Sequence, residues 1–167
     1  NNIIRNFLKP NGRLFEEPDN LLKQELRQPK LYNDILFVIS AGASKLNEMA
    51  TKLNMQSGGL SHYLNSLLEL GIIEKKTPVL DRKSKRPIYR IKDTMFRFWY
   101  CFVQKNLNLL NMDLGELVYE KQIEPKLNEY MGAIFEQIVI EYFEQRLRKG
   151  ELGFLPEDYG NWWGTDK

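Results

Sequence analysis

Seven cations fall within the sixteen residues KKTPVLDRKSKRPIYR: Lys75, Lys76, Arg82, Lys83, Lys85, Arg86 and Arg90, against the single acid Asp81. This run carries +6 in a chain whose formal total is +2, so the remainder is net negative. Cations at this density suit a phosphate backbone, where each phosphate neutralised adds about 0.9 to the salt slope of binding. They equally suit a solvated edge hairpin whose charge keeps other strands from pairing with it. Just upstream, in SGGLSHYLNSLLE, Ser57 and Ser61 stand near the start of an expected helix, where the dipole favours phosphate. His62 and Asn65 carry donors that fit base edges. That stretch holds no arginine, so the pairing that best reads guanine is missing, and low sequence specificity or a partner other than DNA is expected. His62, the only histidine, also reads as an exposed polar residue without a role.

The elements that must position these groups follow from apolar spacing. Leu31, Ile35, Val38 and Ile39 share one helical face, and Gly42 ends the helix. Ser44 is placed to cap a second helix, in which Leu46, Met49, Ala50 and Leu53 form one stripe. Asn54 suits a left-handed turn residue. Ser57 is placed to cap a third helix striped by Leu60, Leu64, Leu67 and Leu68 and closed by Gly71. This helix turns His62, Asn65, Ser66 and Glu69 outward. Ile72 to Lys76 and Ile88 to Ile91 read as paired strands, with the polar LDRKSKRP between them as a wing. The order is that of a winged helix-turn-helix, whose third helix addresses the major groove. Ahead of it, helical patterns near Ile3 to Leu8 and Asn20 to Leu26 read as lead-in rather than core. Behind it, Asp93 and Thr94 open a helix through FRFWYCFV. Leu127, Met131, Phe135, Ile138, Ile140 and Phe143 then mark a long helix closing at Gly150.

Other chemistry finds little support. Cys101 is the single cysteine, which excludes an internal disulfide and a cysteine-built zinc cluster, and a buried structural thiol is expected. No triad can be assigned around the one histidine, and there is no GxxxxGK[ST] loop for nucleotide phosphates. Phe96, Phe98, Trp99, Tyr100 and Phe102 would make a stacking platform for single strands or, pointing all round a helix, a buried connector. Glu136, between Phe135 and Ile138, reads as a partly buried carboxylate or as the boundary residue of an amphipathic helix. No stretch of about 18 apolar residues and no secretory signal occurs, so no membrane partner is expected and the cytoplasm is the simplest compartment. Residues 1–111 carry 18 basic and 10 acidic side chains and residues 112–167 carry 6 and 12, so only the first part is built to meet a polyanion.

Several stretches together resemble one family. LFEEPDNLLKQELRQPKLYNDILFVISAGASKLNEMATKL, SHYLNSLLELGIIEKKTPV, YRIKDTMFRFWYCFV, YMGAIFEQI and GNWWGTDK resemble, in order, the C-terminal portion of the archaeal-type AAA+ ATPases also found in bacteria. The D-x-x-x-R-F-W-Y block and the later G-x-x-F-E carry most of the specificity. The resemblance implies that residues 1–30 end the ATPase lid, 31–92 form the winged helix-turn-helix, 93–111 form an aromatic connector, and 112–167 begin a domain similar to PD-(D/E)XK nucleases. It makes Glu136 a candidate ligand near a divalent metal, and matches Trp162 and Trp163 to the pair preceding the strand with the catalytic aspartate. Oxygen ligands suit Mg²⁺, which activates an attacking water.

The chain starts without methionine and ends at Lys167, before that aspartate and the E-x-K pair, with Asp166 ahead of the aspartate's expected place. A fragment is therefore expected, mainly α, with a two-stranded wing and the truncated start of a nuclease-like α/β domain. It should have no catalytic residue, metal or cofactor of its own. ATP and Mg²⁺ are implied for the parent protein by the resemblance. DNA is the expected partner, with the protein's own ATPase domain beside it. A regulatory protein-interaction module and a metal-dependent nuclease in the full-length protein are the alternatives. A helix face left uncovered by truncation would favour a homo-oligomer.

Overall fold

The computed structural model describes residues 1–77, 87–157 and 159, with only the backbone at 133. It is mainly helical with one two-stranded antiparallel sheet. Helix α1 (Asn2–Phe7) starts under the Asn1 side chain, which accepts the Ile3 N–H at 2.9 Å. Helix α2 (Glu17–Glu25) has Pro18 in its first turn, where no N–H is missed, and Glu17 and Asp19 at its positive end. Helix α3 (Pro29–Ser40) again begins at a proline, and Gly42 closes it at φ 95°.

Helix α4 (Leu46–Lys52) starts differently from the expectation. The Glu48 carboxylate reaches back to accept the N–H groups of Ser44 and Lys45, both at 3.2 Å, so the Ser44 hydroxyl is not the cap. Asn54 then turns left-handed at φ 52°, and α5 (Ser57–Glu69) follows. Ser57 is its first helical residue rather than its cap, the cap position falling on Gln56, and its hydroxyl donates sideways to Asn47 Oδ1 at 3.1 Å. Gly71, at φ 69°, turns the chain into β1 (Ile73–Lys76), which pairs with β2 (Ile88–Ile91) in the register Ile73↔Ile91 and Lys76↔Ile88. The Tyr89 N–H donates to the Ser44 carbonyl at 2.8 Å, fastening β2 to the α3–α4 connection.

Asp93 caps α6 (Thr94–Phe98) by accepting the Phe96 N–H at 2.9 Å. The expected single helix through FRFWYCFV then widens into a π-helical turn at Trp99–Val103 and tightens at Gln104–Asn106. Helices α7 (Leu107–Asn111) and α8 (Gly115–Val118) follow, then a second π-helical turn at Tyr119–Ile123. A Cβ at Gly115 would meet the Leu8 carbonyl oxygen at 2.6 Å, so only glycine lets α8 approach the end of α1 this closely. Helix α9 (Glu124–Arg148) ends ahead of Gly150, at φ 68°.

The chain forms two compact units, residues 1–76 with 88–125, and residues 77–87 with 126–167. In the first, Ile35, Met49, Leu60, Leu64 and Leu67 from the expected stripes are fully buried, joined by Ile73 of β1 and by Leu36, which the expected stripe of α3 did not include. The N-terminal residues are not mere lead-in: Leu8, Phe15 and Leu22 are buried in the core as well. The aromatic connector explains this, because Trp99 donates its indole N–H to the Phe15 carbonyl at 2.7 Å and the Phe7 and Phe98 rings lie 4.7 Å apart. Burying one such leucine contributes about 2 kcal/mol. The connector's Phe96, Phe98, Trp99, Tyr100 and Phe102 are all buried. Cys101 is half-buried rather than enclosed, and burial pushes its thiol pKa up. In the second unit no described residue is buried, and the apolar face of α9 is open, with Phe135 64% exposed. No helix among the described residues is long and apolar enough to cross a membrane.

Candidate nucleic-acid interface

Helix α5 owes its orientation to its leucines. Leu60, Leu64 and Leu67 are buried, which forces His62, Asn65 and Glu69 to the exposed side. Ser57 and Ser61 are half-buried on the flank toward α4. Their hydroxyl protons are already used, Ser57 donating to Asn47 Oδ1 and Ser61 to the Ser57 carbonyl at 3.0 Å. Each oxygen keeps acceptor capacity, which suits a phosphate less well than a donor would. The His62 ring meets the Tyr63 ring edge-on at 5.6 Å, and the Tyr63 hydroxyl donates to Gln28 Oε1 at 3.0 Å.

The strands reveal an acid absent from the sequence account of the basic run. Glu74 lies directly across from Arg90 in the register and pairs with its Nε, while Lys76 Nζ stands 3.7 Å from the same carboxylate oxygen. Lys75 Nζ sits 5.9 Å above the Tyr89 ring, a cation–π contact. The three described cations of the run are thus engaged with their own hairpin. Adding Glu74 to the sixteen residues, once the strands are aligned from Ile73 and Ile91, would have exposed the pairing. Arg82, Lys83, Lys85 and Arg86 lie outside the described residues, as do Trp162, Trp163 and Asp166.

Glu136 lies on an exposed side of α9. Among the described residues no group of three or more His, Cys, Asp or Glu side chains is arranged to hold a metal ion. A single carboxylate does not make an Mg²⁺ site.

Residues 99–167 match DUF234, a family described as archaea bacterial proteins of unknown function. The matched segment begins at Trp99, in the connector that carries the indole bond to Phe15. The chain is also 30% identical over 148 residues to an uncharacterized protein, MJECL04, of Methanocaldococcus jannaschii, an alignment covering 88% of this chain and 33% of the relative. The chain therefore spans about a third of the length of the curated relative it matches. Among solved structures, the transcriptional repressor CouR bound to a 23-mer DNA duplex shows 16% identity, covering 80% of this chain and 83% of that one, with a TM-score of 0.37.

Proposed function

We propose that the first unit is a winged helix-turn-helix that docks duplex DNA, serving as an accessory region of a longer AAA+ ATPase. The observation that carries this reading is α5. It is anchored by three buried leucines, exposes His62 and Asn65, and is followed in sequence by paired strands enclosing the remaining wing cations. In the mechanism, Arg82, Lys83, Lys85 and Arg86 grip phosphates while α5 lies in or along the major groove. ATP and Mg²⁺ belong to the remainder of the parent protein on this reading, and Glu136 to a nuclease-like domain continued there.

A second reading, a module that docks on its own ATPase domain, is favoured by one feature: α5 presents Glu69 and no arginine on its outward side, while Arg90 turns to Glu74. Fluorescence anisotropy of a labelled mixed-sequence duplex separates the two. DNA docking predicts binding that weakens steeply with salt and is lost when Arg82, Lys83, Lys85 and Arg86 are all replaced by alanine. Absence of binding at low salt rejects it in favour of the interaction module.

A further inference from the structure

Helix α5 has no guanidinium of its own, but the fold brings one to its side from the α2–α3 connection. A cleft of about 290 Å³ is lined by Glu25, Arg27, Gln28, Tyr32, His62 and Tyr63. Its walls are fixed by aromatic and amide contacts. Tyr63 donates to Gln28 Oε1, the Tyr32 ring meets Tyr63 edge-on at 5.3 Å, and the His62 ring meets Tyr63 at 5.6 Å. These contacts leave the polar heads at the mouth uncommitted. Arg27 and His62 are both exposed, and neither the guanidinium nor the imidazole makes a hydrogen bond or ion pair among the described residues. The twelve-residue helix α3 starts immediately beside them at Pro29, and its Gln28 cap provides no side-chain acceptor, so its positive end adds to the same field.

We infer that this cleft seats a backbone phosphate of the duplex, with Arg27 as its guanidinium clamp and His62 as a second donor. The inference rests on the DNA-docking reading of α5. A helix lying in a groove has a phosphate strand along each flank, and the cleft occupies one flank, beside the outward residue His62. A planar guanidinium matches two phosphate oxygens at once, a fit that a lysine point charge lacks. Glu25 is the opposing charge in the lining, and it weakens the grip without closing the cleft.

The test measures anisotropy of two unrelated labelled duplexes of equal length over a salt series. It compares the native chain with R27A, R27K, E25Q and the quadruple wing variant. R27A is expected to weaken both duplexes equally and to lower the salt slope by about 1, while R27K keeps the slope with weaker binding and E25Q binds tighter than native. Arg27 is exposed, so the R27A melting curve should overlay that of the native chain. R27A isotherms that coincide with native ones, while the wing variant loses binding, overturn the cleft and leave the docking reading standing. Weakening of one duplex alone overturns the phosphate assignment, because that pattern belongs to a base contact. A native chain that fails to bind at low salt overturns both.

Discussion

The hydroxyl of Tyr100, in the aromatic connector, donates to Oδ1 of Asn33 on α3, 67 residues earlier in the chain. The Asn33 amide in turn donates to Asp19 Oδ1 at 3.0 Å and to the Pro29 carbonyl at 3.2 Å, and Lys23 pairs with Asp19 at 2.6 Å. One asparagine thus joins α2, α3 and the connector. Of the three groups it meets, the Tyr100 hydroxyl is the buried one and would otherwise lack an acceptor. Burial, followed by the nearby Asp19 and Asp34, pushes the Tyr100 hydroxyl pKa well above its ordinary value.

Removing that hydroxyl by Y100F should cost about 1 kcal/mol, and N33A more, because it leaves the buried tyrosine hydroxyl without its acceptor and Asp19 with Lys23 alone. The pH dependence is distinctive. A raised folded pKa means that the stabilisation is complete below the unfolded tyrosine value of about 10 and declines as pH rises beyond it. Denaturant melts of the native chain should therefore weaken above that pH with a steeper slope than those of Y100F. Equal slopes would remove Tyr100 from the alkaline transition.

Deleting residues 1–28 tests whether the N-terminal segment is core. The deletion strips Leu8, Phe15 and Leu22 and uncovers the Trp99 indole, so loss of a cooperative thermal transition is expected. The milder W99F leaves the Phe15 carbonyl without its donor and should cost about 1–3 kcal/mol. A truncated chain that melts like the full one would return these residues to the role of a linker.

That segment also marks where sequence reading stopped. The span of α3, the end of α5, the turns at Gly42, Asn54 and Gly71, and the Ile73 and Ile91 strands were legible because each depends on neighbours within a few residues. Burial of Leu8 and Leu22 was not, since α1 and α2 are short and pack on elements that only the tertiary fold brings to them, α2 on α3 and Leu8 beside Gly115. The same reason hid Glu74, Gln28 and Arg27: their roles come from strand register or from a cleft built by distant elements. The caps failed for a different reason. Ser44 and Ser57 have the correct chemistry, but the Glu48 carboxylate takes the N–H groups of Ser44 and Lys45, and α5 starts one residue earlier than expected, with Gln56 at the cap position.

Glu48 offers a pH-sensitive handle on the helix-turn-helix. Its carboxyl pKa is lowered first by the Lys45 N–H and next by that of Ser44. A lowered folded value places its stabilisation above the ordinary glutamate range, and the contribution disappears as pH falls through that lowered value. E48Q should reduce the melting temperature at neutral pH, and the gap from the native chain should close on acidification. A gap constant with pH would show that the charge has no part in holding the start of α4.

The Glu74 pairing makes the last prediction. Glu74 is less than a quarter exposed and holds Arg90 and Lys76, and it keeps the Arg90 guanidinium from an anionic partner. E74Q keeps a side chain of the same shape but removes its charge. If the hairpin docks on phosphate, E74Q should tighten duplex binding and raise the salt slope by about 1 as Arg90 is recruited. The cost in stability should be small, because such partly exposed pairs contribute about 1 kcal/mol or less. The converse variant R90Q should weaken binding, since it leaves Glu74 facing the duplex with only Lys76 against it. Unchanged affinity in both variants would confine the strand cations to holding the sheet and leave any phosphate contact to Arg82, Lys83, Lys85, Arg86 and the cleft beside α5.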